Sequence, residues 1–192
     1  MKIEKDAVTF EMPDADFVAK FGMQAAADMV LDFHCFHPQL PFLYDARQLA
    51  AFLSTSRQKL FYYARHTAAA YHPVTIPKRN GAVRTLSVPD DTLRRWQRKI
   101  CRDLLAYLPV APQATAYRKG GTLSGNAAPH VGKRYLLKLD ISDFFGSIRF
   151  EQVHSAAFHT RYFSRQVGFL LTALCCKDGV LPQGAPTSPA LS

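Results

Sequence analysis

The spacing of apolar residues changes at about Tyr71, and this change sets the fold class. Before it, apolar side chains recur every three or four residues, the spacing of one helix face. After it, VTIPKRNGAVRTLSVP predicts two short strands, and further helical and strand-like segments follow to the end. A helical opening followed by mixed helices and strands predicts an α+β fold, and the chain shows no internal repeat.

The opening part, residues 1–70, predicts three helices. An apolar series marks the first helix and stops before Pro38. Its members are Phe17, Phe21, Ala25, Met29, Phe33 and Phe36. Asp45 can cap a second helix, and a third is expected from about Ser56 to Ala70. The aromatic spacing favours a buried helix face over a stacking platform for bases.

Asn80-Gly81 predicts a tight hairpin turn, because both residue types tolerate a positive φ. Asp91 is expected to cap the next helix, TLRRWQRKICRDLLAYL. This helix has an apolar stripe of Leu93, Trp96, Ile100, Leu104 and Leu108. Its other faces carry Arg94, Arg95, Arg98, Lys99 and Arg102. We therefore expect one face to pack and the rest to present positive charge.

The segment RYLLKLDI, residues 134–141, predicts a strand that ends near Asp140. An acid at a strand end more often caps the next turn than binds a metal, so Asp140 alone would be weak evidence. A basic hairpin upstream and the rigid turn LPQGAPTSP downstream favour the metal-binding interpretation. Helices are expected at about residues 150–160 and 164–176, the second ending at Lys177-Asp178-Gly179.

Positive charge is concentrated in the middle of the chain. Residues 56–135 hold 15 basic and 3 acidic side chains, whereas residues 1–55 hold 4 and 8. A net charge of +12 over this segment favours a polyphosphate partner, since neutralising phosphates releases their counterions. The alternative is a basic surface that only keeps the protein soluble.

The four cysteines, Cys35, Cys101, Cys175 and Cys176, have neither the spacing of a zinc site nor that of a disulfide framework. We predict reduced core residues. The sequence contains no apolar run long enough for a membrane span, and residues 1–17 hold acids where a signal peptide would need an apolar stretch. Both features lead us to expect a cytoplasmic protein with no membrane partner.

Four motifs resemble a known family. IPKRNGAVRTLSVP, NAAPH, KLDISDFFGSI and LPQGAPTSPALS occur in the order and rough spacing of the early motifs of bacterial reverse transcriptases. NAAPH and QGAPTSP are most similar to the retron branch. The resemblance covers about residues 71–192 and implies a right-hand polymerase fold. It implies N-terminal helices (1–70), fingers with a basic hairpin (71–133) and a partial antiparallel palm sheet (134–192), with the thumb absent.

The resemblance also implies catalytic and substrate-binding roles. Asp140 would bind two Mg²⁺ ions with the carbonyl of Ile141 as a further ligand. The backbone amides of Asp143 and Phe144 would hold the incoming triphosphate, and Phe145 would exclude a ribose 2′ hydroxyl. The alternative for Phe145 is a core role, which either it or Phe144 is expected to have.

Four other residues match positions that contact the incoming deoxynucleotide. Lys78 and Arg84 would close on the triphosphate. Gln183 would pack near its sugar and base, with Gly184 permitting close backbone approach.

RNA binding is expected of a larger set: Arg79, Arg94, Arg95, Arg98, Arg118, Lys119, Asn126 and His130. For His130, structural hydrogen bonding is favoured over catalysis. The implied partners are an RNA template, taken to be a structured non-coding RNA, a DNA primer or product, and deoxynucleoside triphosphates.

The family's second aspartate motif, a tyrosine followed by a pair of aspartates, does not occur in these 192 residues. One carboxylate cannot hold two Mg²⁺ ions, so we expect the 192-residue chain alone to be inactive as an RNA-directed DNA polymerase. Two alternatives remain: an RNA-binding module without synthesis, and a defence reverse transcriptase of the abortive-infection type. An unpaired palm strand also predicts dimerisation or aggregation.

Overall fold

The computed structural model describes residues 15–77, 81–108, 110–116, 120–159 and 163–192, and every structural statement below concerns these residues. Four helices come first: α1 (Ala15–Phe21), α2 (Met23–Phe36), α3 (Ala46–Phe52) and α4 (Arg57–Arg65). The hairpin strands are β1 (Tyr71–Pro77) and β2 (Val83–Pro89). The later helices are α5 (Asp91–Asp103), α6 (Leu123–Ala127), α7 (Phe144–Ser147), α8 (Phe150–Val153) and α9 (Arg165–Cys175). This mixture confirms the α+β class.

The first predicted helix is interrupted at Gly22. Its φ of 80° ends α1, and α2 starts again one residue later. The restart changes which residues face inward, so Ala26 and Val30 are buried whereas Ala25 and Met29 are exposed. The predicted apolar stripe is therefore wrong at those two positions.

The helix starts at Asp45 and Ser56 are confirmed. The carboxylate of Asp45 accepts hydrogen bonds from the backbone N–H groups of Arg47 and Gln48 at 2.8 and 2.9 Å. The hydroxyl of Ser56 accepts from the N–H of Lys59 at 3.2 Å. Helix α4 ends at Arg65, and a 3₁₀ turn, Thr67–Ala70, completes the predicted third helix.

Strands β1 and β2 pair antiparallel, as the sequence predicts. The pairing runs from Tyr71 opposite Pro89 to Pro77 opposite Val83. The turn predicted at Asn80-Gly81 lies only partly within the described residues. Asn80 lies outside the described residues, and Gly81 has the positive φ that the sequence signal requires.

Helix α5 begins one residue earlier than predicted. Asp90, not Asp91, is its cap and accepts a hydrogen bond from the N–H of Leu93 at 2.8 Å. The same carboxylate accepts a second hydrogen bond from the hydroxyl of Tyr63 at 2.8 Å. The predicted apolar stripe is confirmed, since Leu93, Trp96, Ile100 and Leu104 are buried and Leu108 packs against the core.

One core joins α3, α4, α5, α8 and α9. Helix α9 is buried on nearly every side, so it is the centre of this packing. A π-helical turn, His154–Phe158, precedes it, and a Cβ at Gly168 would collide with the carbonyl oxygen of Phe158. A smaller cluster of Phe17, Ala26 and Val30 holds α1 against α2.

The predicted strand at 134–141 is not formed, and so the described residues contain no palm sheet. The sheet is two-stranded, and β1 and β2 pair only with each other, so residues 134–141 have no neighbour for their backbone N–H and C=O groups. Their side chains are exposed, with Leu137 80% and Leu139 81% accessible. A strand requires a partner, and local pattern alone does not supply one.

The cysteine prediction is confirmed for three residues and wrong for one. Cys175 and Cys176 are buried, Cys101 is half-buried, and none of the described cysteines forms a disulfide. Burial raises the pKa of Cys101 to about 11 and that of Cys176 to about 12, so both thiols are protonated at neutral pH. Cys35 is exposed because it lies on the outer face of α2. None of the described helices has the length and apolarity needed to cross a bilayer.

Candidate active site

A cavity of about 780 Å³ lies between the hairpin, α5, α7 and the turn at residues 181–189. We call residues 181–189, LPQGAPTSP, the closing turn. The cavity is lined by Val74, Arg84, Leu86, Val88, Arg94, Arg98, Phe145, Gln183, Gly184, Ala185, Pro186, Ser188 and Pro189. Among the described residues, its wall combines apolar side chains with three arginines and contains no acid, a composition that suits an anionic ligand with flat rings.

The hairpin contributes one face of β2 to this wall. Arg84, Leu86 and Val88 alternate along the strand and so share a face, and Val74 pairs opposite Leu86. The guanidinium of Arg84 is exposed and has no ion pair within the described part of the chain. Its charge is thus available to a ligand.

The closing turn is fixed against β2 by its backbone. The N–H of Ser87 donates to the carbonyl of Gln183 at 2.8 Å. Gly184 follows with a φ of +121°, and a Cβ there would lie 2.8 Å from the carbonyl oxygen of Ser87. Within the turn, the hydroxyl of Ser188 donates to the carbonyl of Pro182 at 2.7 Å. These contacts hold Gln183 at the cavity with an exposed side chain.

The two phenylalanines of α7 have different surroundings. Phe145 lines the cavity and also packs against the core, whereas Phe144 does not line the cavity and is 38% exposed. Asp143, before them, has the left-handed conformation with φ 47°. Its carboxylate lies over Gly146, where a Cβ would collide with it.

Asp140 and Ile141 lie outside the cavity wall. Both are exposed and belong to the extended segment at 134–141. The carboxylate of Asp140 has no ion pair or hydrogen bond among residues that the structure describes, and these residues contain no cluster of three metal-binding side chains. The donor set that the sequence identifies here is therefore one carboxylate and one backbone carbonyl.

The structure divides the residues predicted to bind RNA. Arg79, Arg118 and Lys119 lie outside the described residues, as does Lys78, which is predicted to contact the triphosphate. Arg94 and Arg98 line the cavity, and Arg95 is exposed away from its wall. Asn126 accepts a hydrogen bond from the hydroxyl of Thr115 at 2.8 Å. The ring of His130 is exposed and makes no hydrogen bond in the described part of the chain.

Sequence reasoning missed part of the cavity wall. Leu86 and Val88 were not singled out, although the two-residue period of a strand beginning at Arg84 identifies them. Pro186 and Pro189 were quoted only as part of a motif. Arg94 and Arg98 were assigned to RNA binding in general, because spacing along a helix does not show which exposed face meets a cavity.

The closing turn and the hairpin meet at the cavity although they are about 100 residues apart in sequence. Residues 76–192, which contain both, match the family described as reverse transcriptase (RNA-dependent DNA polymerase). The chain belongs to the reverse transcriptase family. Because the match covers residues 76–192, it confirms the family that the four motifs indicate. The members of this family are nucleotidyltransferases that polymerise DNA on an RNA template.

Retron reverse transcriptases are among its relatives, which confirms the resemblance to the retron type. The chain is 36% identical to Retron Mx65 reverse transcriptase of Myxococcus xanthus, over 79% of this chain and 40% of the relative. It is 34% identical to Retron Ec86 reverse transcriptase of Escherichia coli, over 57% of this chain and 34% of the relative. For Retron Mx162 reverse transcriptase of M. xanthus the identity is 32%, over 77% and 35%. The chain thus spans two fifths or less of these relatives' lengths.

Proposed function

We propose that this chain supplies the fingers and the first part of the palm of an RNA-directed DNA polymerase of the retron type. The observation that carries the proposal is the cavity itself. It joins Arg84 from the hairpin, Phe145 from the Asp140 motif, and Gln183 and Gly184 from the closing turn. Three separate motifs therefore contribute to one wall, as a nucleotide site requires. In this proposal the partners are an RNA template, a DNA primer and deoxynucleoside triphosphates.

Each residue has a physical role in the proposed reaction. The planar guanidinium of Arg84 can bind phosphate oxygens through two N–H groups at once. The ring of Phe145 is fixed by the core and so can exclude a 2′ hydroxyl from the cavity. The side-chain amide of Gln183 makes no hydrogen bond among the described residues, so it can bond to the sugar and base. The successive N–H groups of Asp143 and Phe144 can bind the triphosphate, which the left-handed conformation of Asp143 supports.

Asp140 and the carbonyl of Ile141 fit Mg²⁺ chemically, because this ion prefers oxygen ligands. When bound, Mg²⁺ would activate the primer 3′ hydroxyl and stabilise the leaving pyrophosphate. A single carboxylate does not complete such a site. We therefore propose that the 192-residue chain alone does not polymerise, and that further carboxylates are needed.

A second candidate is an RNA-binding module without synthesis. The observation in its favour is that Asp140 is exposed and outside the cavity. Arg84, Arg95 and Arg98 have no ion pair among the described residues and can bind phosphate without it. The abortive-infection type of reverse transcriptase remains a third candidate, with the same site residues.

Primer extension on an RNA template with deoxynucleotides and Mg²⁺ tests the proposal. The proteins to compare are the 192-residue chain, a longer product of the same gene, and the longer product with Asp140→Asn. Asp28→Asn, at an exposed acid of α2, is the matched control. We expect synthesis from the longer protein and from the control variant, and none after Asp140→Asn. Synthesis that survives Asp140→Asn would refute the metal-binding role, and RNA binding without synthesis would favour the second candidate.

A further inference from the structure

Helix α5 carries five cations, and three of them already contact a carboxylate of the same helix. Arg94 bonds to the carboxylate of Asp91 at 3.1 Å and to the carbonyl of Pro89 at 2.9 Å. Lys99 and Arg102 share the carboxylate of Asp103, at 3.1 Å and at 2.5 and 2.8 Å. Hydrogen bonding from Arg102 lowers the pKa of Asp103 to about 2, so Asp103 keeps its charge at neutral pH. These three cations are therefore committed to contacts within the protein.

Two cations of α5, Arg95 and Arg98, have no ion pair among the described residues. They differ in position. Arg98 follows Arg94 by one helical turn on the same face and lines the cavity, whereas Arg95 does not line it. Of the cations on this helix, Arg98 thus combines an available charge with a place in the cavity wall.

The surroundings of Arg98 identify the class of ligand. Arg84 of β2 also lines the cavity and has no ion pair among the described residues. Two available guanidinium groups, with no acid among the described residues of the wall, favour a ligand with phosphate groups, and the leucine, valine and proline side chains of the same wall suit a base or sugar. Arg94 is less suited to this role, because two of its five N–H groups already bond to Asp91 and Pro89 and the Asp91 carboxylate offsets its charge.

We infer that Arg98 binds a phosphate group of the molecule that occupies this cavity. The inference rests on the proposed function and adds to it a residue that neither the family match nor the relatives assign. The phosphate can come from the template strand or from the incoming nucleotide, which present the same chemistry. The sequence predicts that Arg94, Arg95 and Arg98 all bind RNA. The present inference assigns a phosphate contact in the cavity to Arg98.

The test compares Arg98→Gln with Arg95→Gln in the longer protein, because both substitutions remove one available cation from the same helix. Arg98→Lys keeps the positive charge. If this variant recovers part of the binding that Arg98→Gln loses, the loss comes from the missing charge and not from a disturbed fold. The measurements are the equilibrium affinity for a template–primer duplex at several salt concentrations and the KM for deoxynucleotides.

If the phosphate belongs to the template, Arg98→Gln should weaken duplex binding about tenfold more than Arg95→Gln. It should also lower the slope of log affinity against log salt concentration by about 1. If the phosphate belongs to the incoming nucleotide, Arg98→Gln should instead raise the KM for deoxynucleotides about tenfold. Its duplex affinity should then equal that of Arg95→Gln. In either case Arg98→Lys should restore part of the loss. Equal behaviour of Arg98→Gln and Arg95→Gln in both measurements would overturn the inference. A wild-type protein that binds the duplex but does not synthesise would refute the proposed polymerase, while the binding comparison would still test Arg98.

Discussion

Gly184 shows how much one residue constrains the site. Alanine there would adopt a φ of +121° and place its Cβ 2.8 Å from the Ser87 carbonyl oxygen, which belongs to the backbone and cannot move freely. We expect Gly184→Ala to lower the free energy of unfolding by about 3 kcal/mol. Gly179→Ala is the matched control, because Gly179 also has a positive φ, +79°, but has open space around its Cβ position. It should cost about 1 kcal/mol.

Urea unfolding of the two glycine variants measures this difference. Similar losses for both would show that the backbone conformation, not the contact between the closing turn and β2, makes Gly184 necessary.

Phe145 and Phe144 make a second matched pair at the residue scale. Because Phe145 lines the cavity and is held by the core, Phe145→Ala should remove the barrier to a 2′ hydroxyl. In the longer protein of the primer-extension test, we expect the preference for deoxynucleotides over ribonucleotides, as a ratio of kcat/KM values, to fall at least about tenfold. Phe144→Ala should leave the ratio within about twofold of the parent. A fall with Phe144→Ala alone would reassign the sugar-excluding residue.

Individual residues were predictable from sequence where a short motif defines their surroundings. Gln183, Gly184 and Phe145, which the motifs single out, all lie in the cavity wall, and their contacts with a nucleotide stay predictions. Asp90 was missed because two adjacent acids satisfy the capping rule equally well, and only the structure shows which one also accepts a bond from Tyr63. Cys35 was misplaced because the spacing of the cysteines does not show which face of α2 each of them occupies, and Cys35 lies on the exposed face.

At the scale of elements, the Asp90 cap couples α4 to α5. Its carboxylate accepts one hydrogen bond from the helix and one from Tyr63 of α4, both at 2.8 Å. Asp90→Ala should lower the free energy of unfolding by about 1–2 kcal/mol, through the lost cap and the unpaired hydroxyl. Asp91→Ala should cost about 0.5 kcal/mol or less, because that side chain is 89% exposed and only pairs with Arg94. Thermal or urea unfolding would decide, and a larger loss with Asp91→Ala would contradict the assignment of the cap.

Elements that local signals specify were predicted well. The hairpin, α5 and α9 depend on turn residues, caps and apolar spacing within a short stretch, and all three are present. The segment at 134–141 has an equally clear pattern and yet forms no strand. Its pattern reports side-chain alternation, whereas a strand also needs a neighbour to accept its backbone hydrogen bonds, and that neighbour is not specified locally.

At the scale of the whole molecule, the distribution of charge along the chain predicts a polyphosphate partner but not which residues the partner contacts. The basic middle segment does contain the available cations Arg84, Arg95 and Arg98. Composition could not show that Arg94 and Arg102 are neutralised by neighbouring acids, because that depends on helix geometry. The count of 15 basic side chains in residues 56–135 is therefore an upper bound on the number of phosphates that this segment can neutralise.

The exposed segment at 135–141 determines how the 192-residue chain should behave in solution. Its side chains include Tyr135, Leu137 and Leu139, each at least 80% exposed, and its backbone has no strand partner within the described part of the chain. Apolar side chains on an extended, unpaired backbone favour pairing with another copy. We expect light scattering at micromolar concentration to show dimers or larger species.

A double substitution, Leu137→Lys with Leu139→Lys, should shift the chain toward the monomer, because like charges on the segment oppose pairing between copies. Leu123→Lys is the matched control: Leu123 is 91% exposed on α6, outside the extended segment, and its substitution should leave the association unchanged. A monodisperse wild-type monomer would contradict the prediction. If Leu123→Lys dissociated the dimers as strongly as the double substitution does, the contact between copies would lie elsewhere on the surface. Pairing through residues 135–141 requires that only substitutions within that segment, such as those of Leu137 and Leu139, weaken the association.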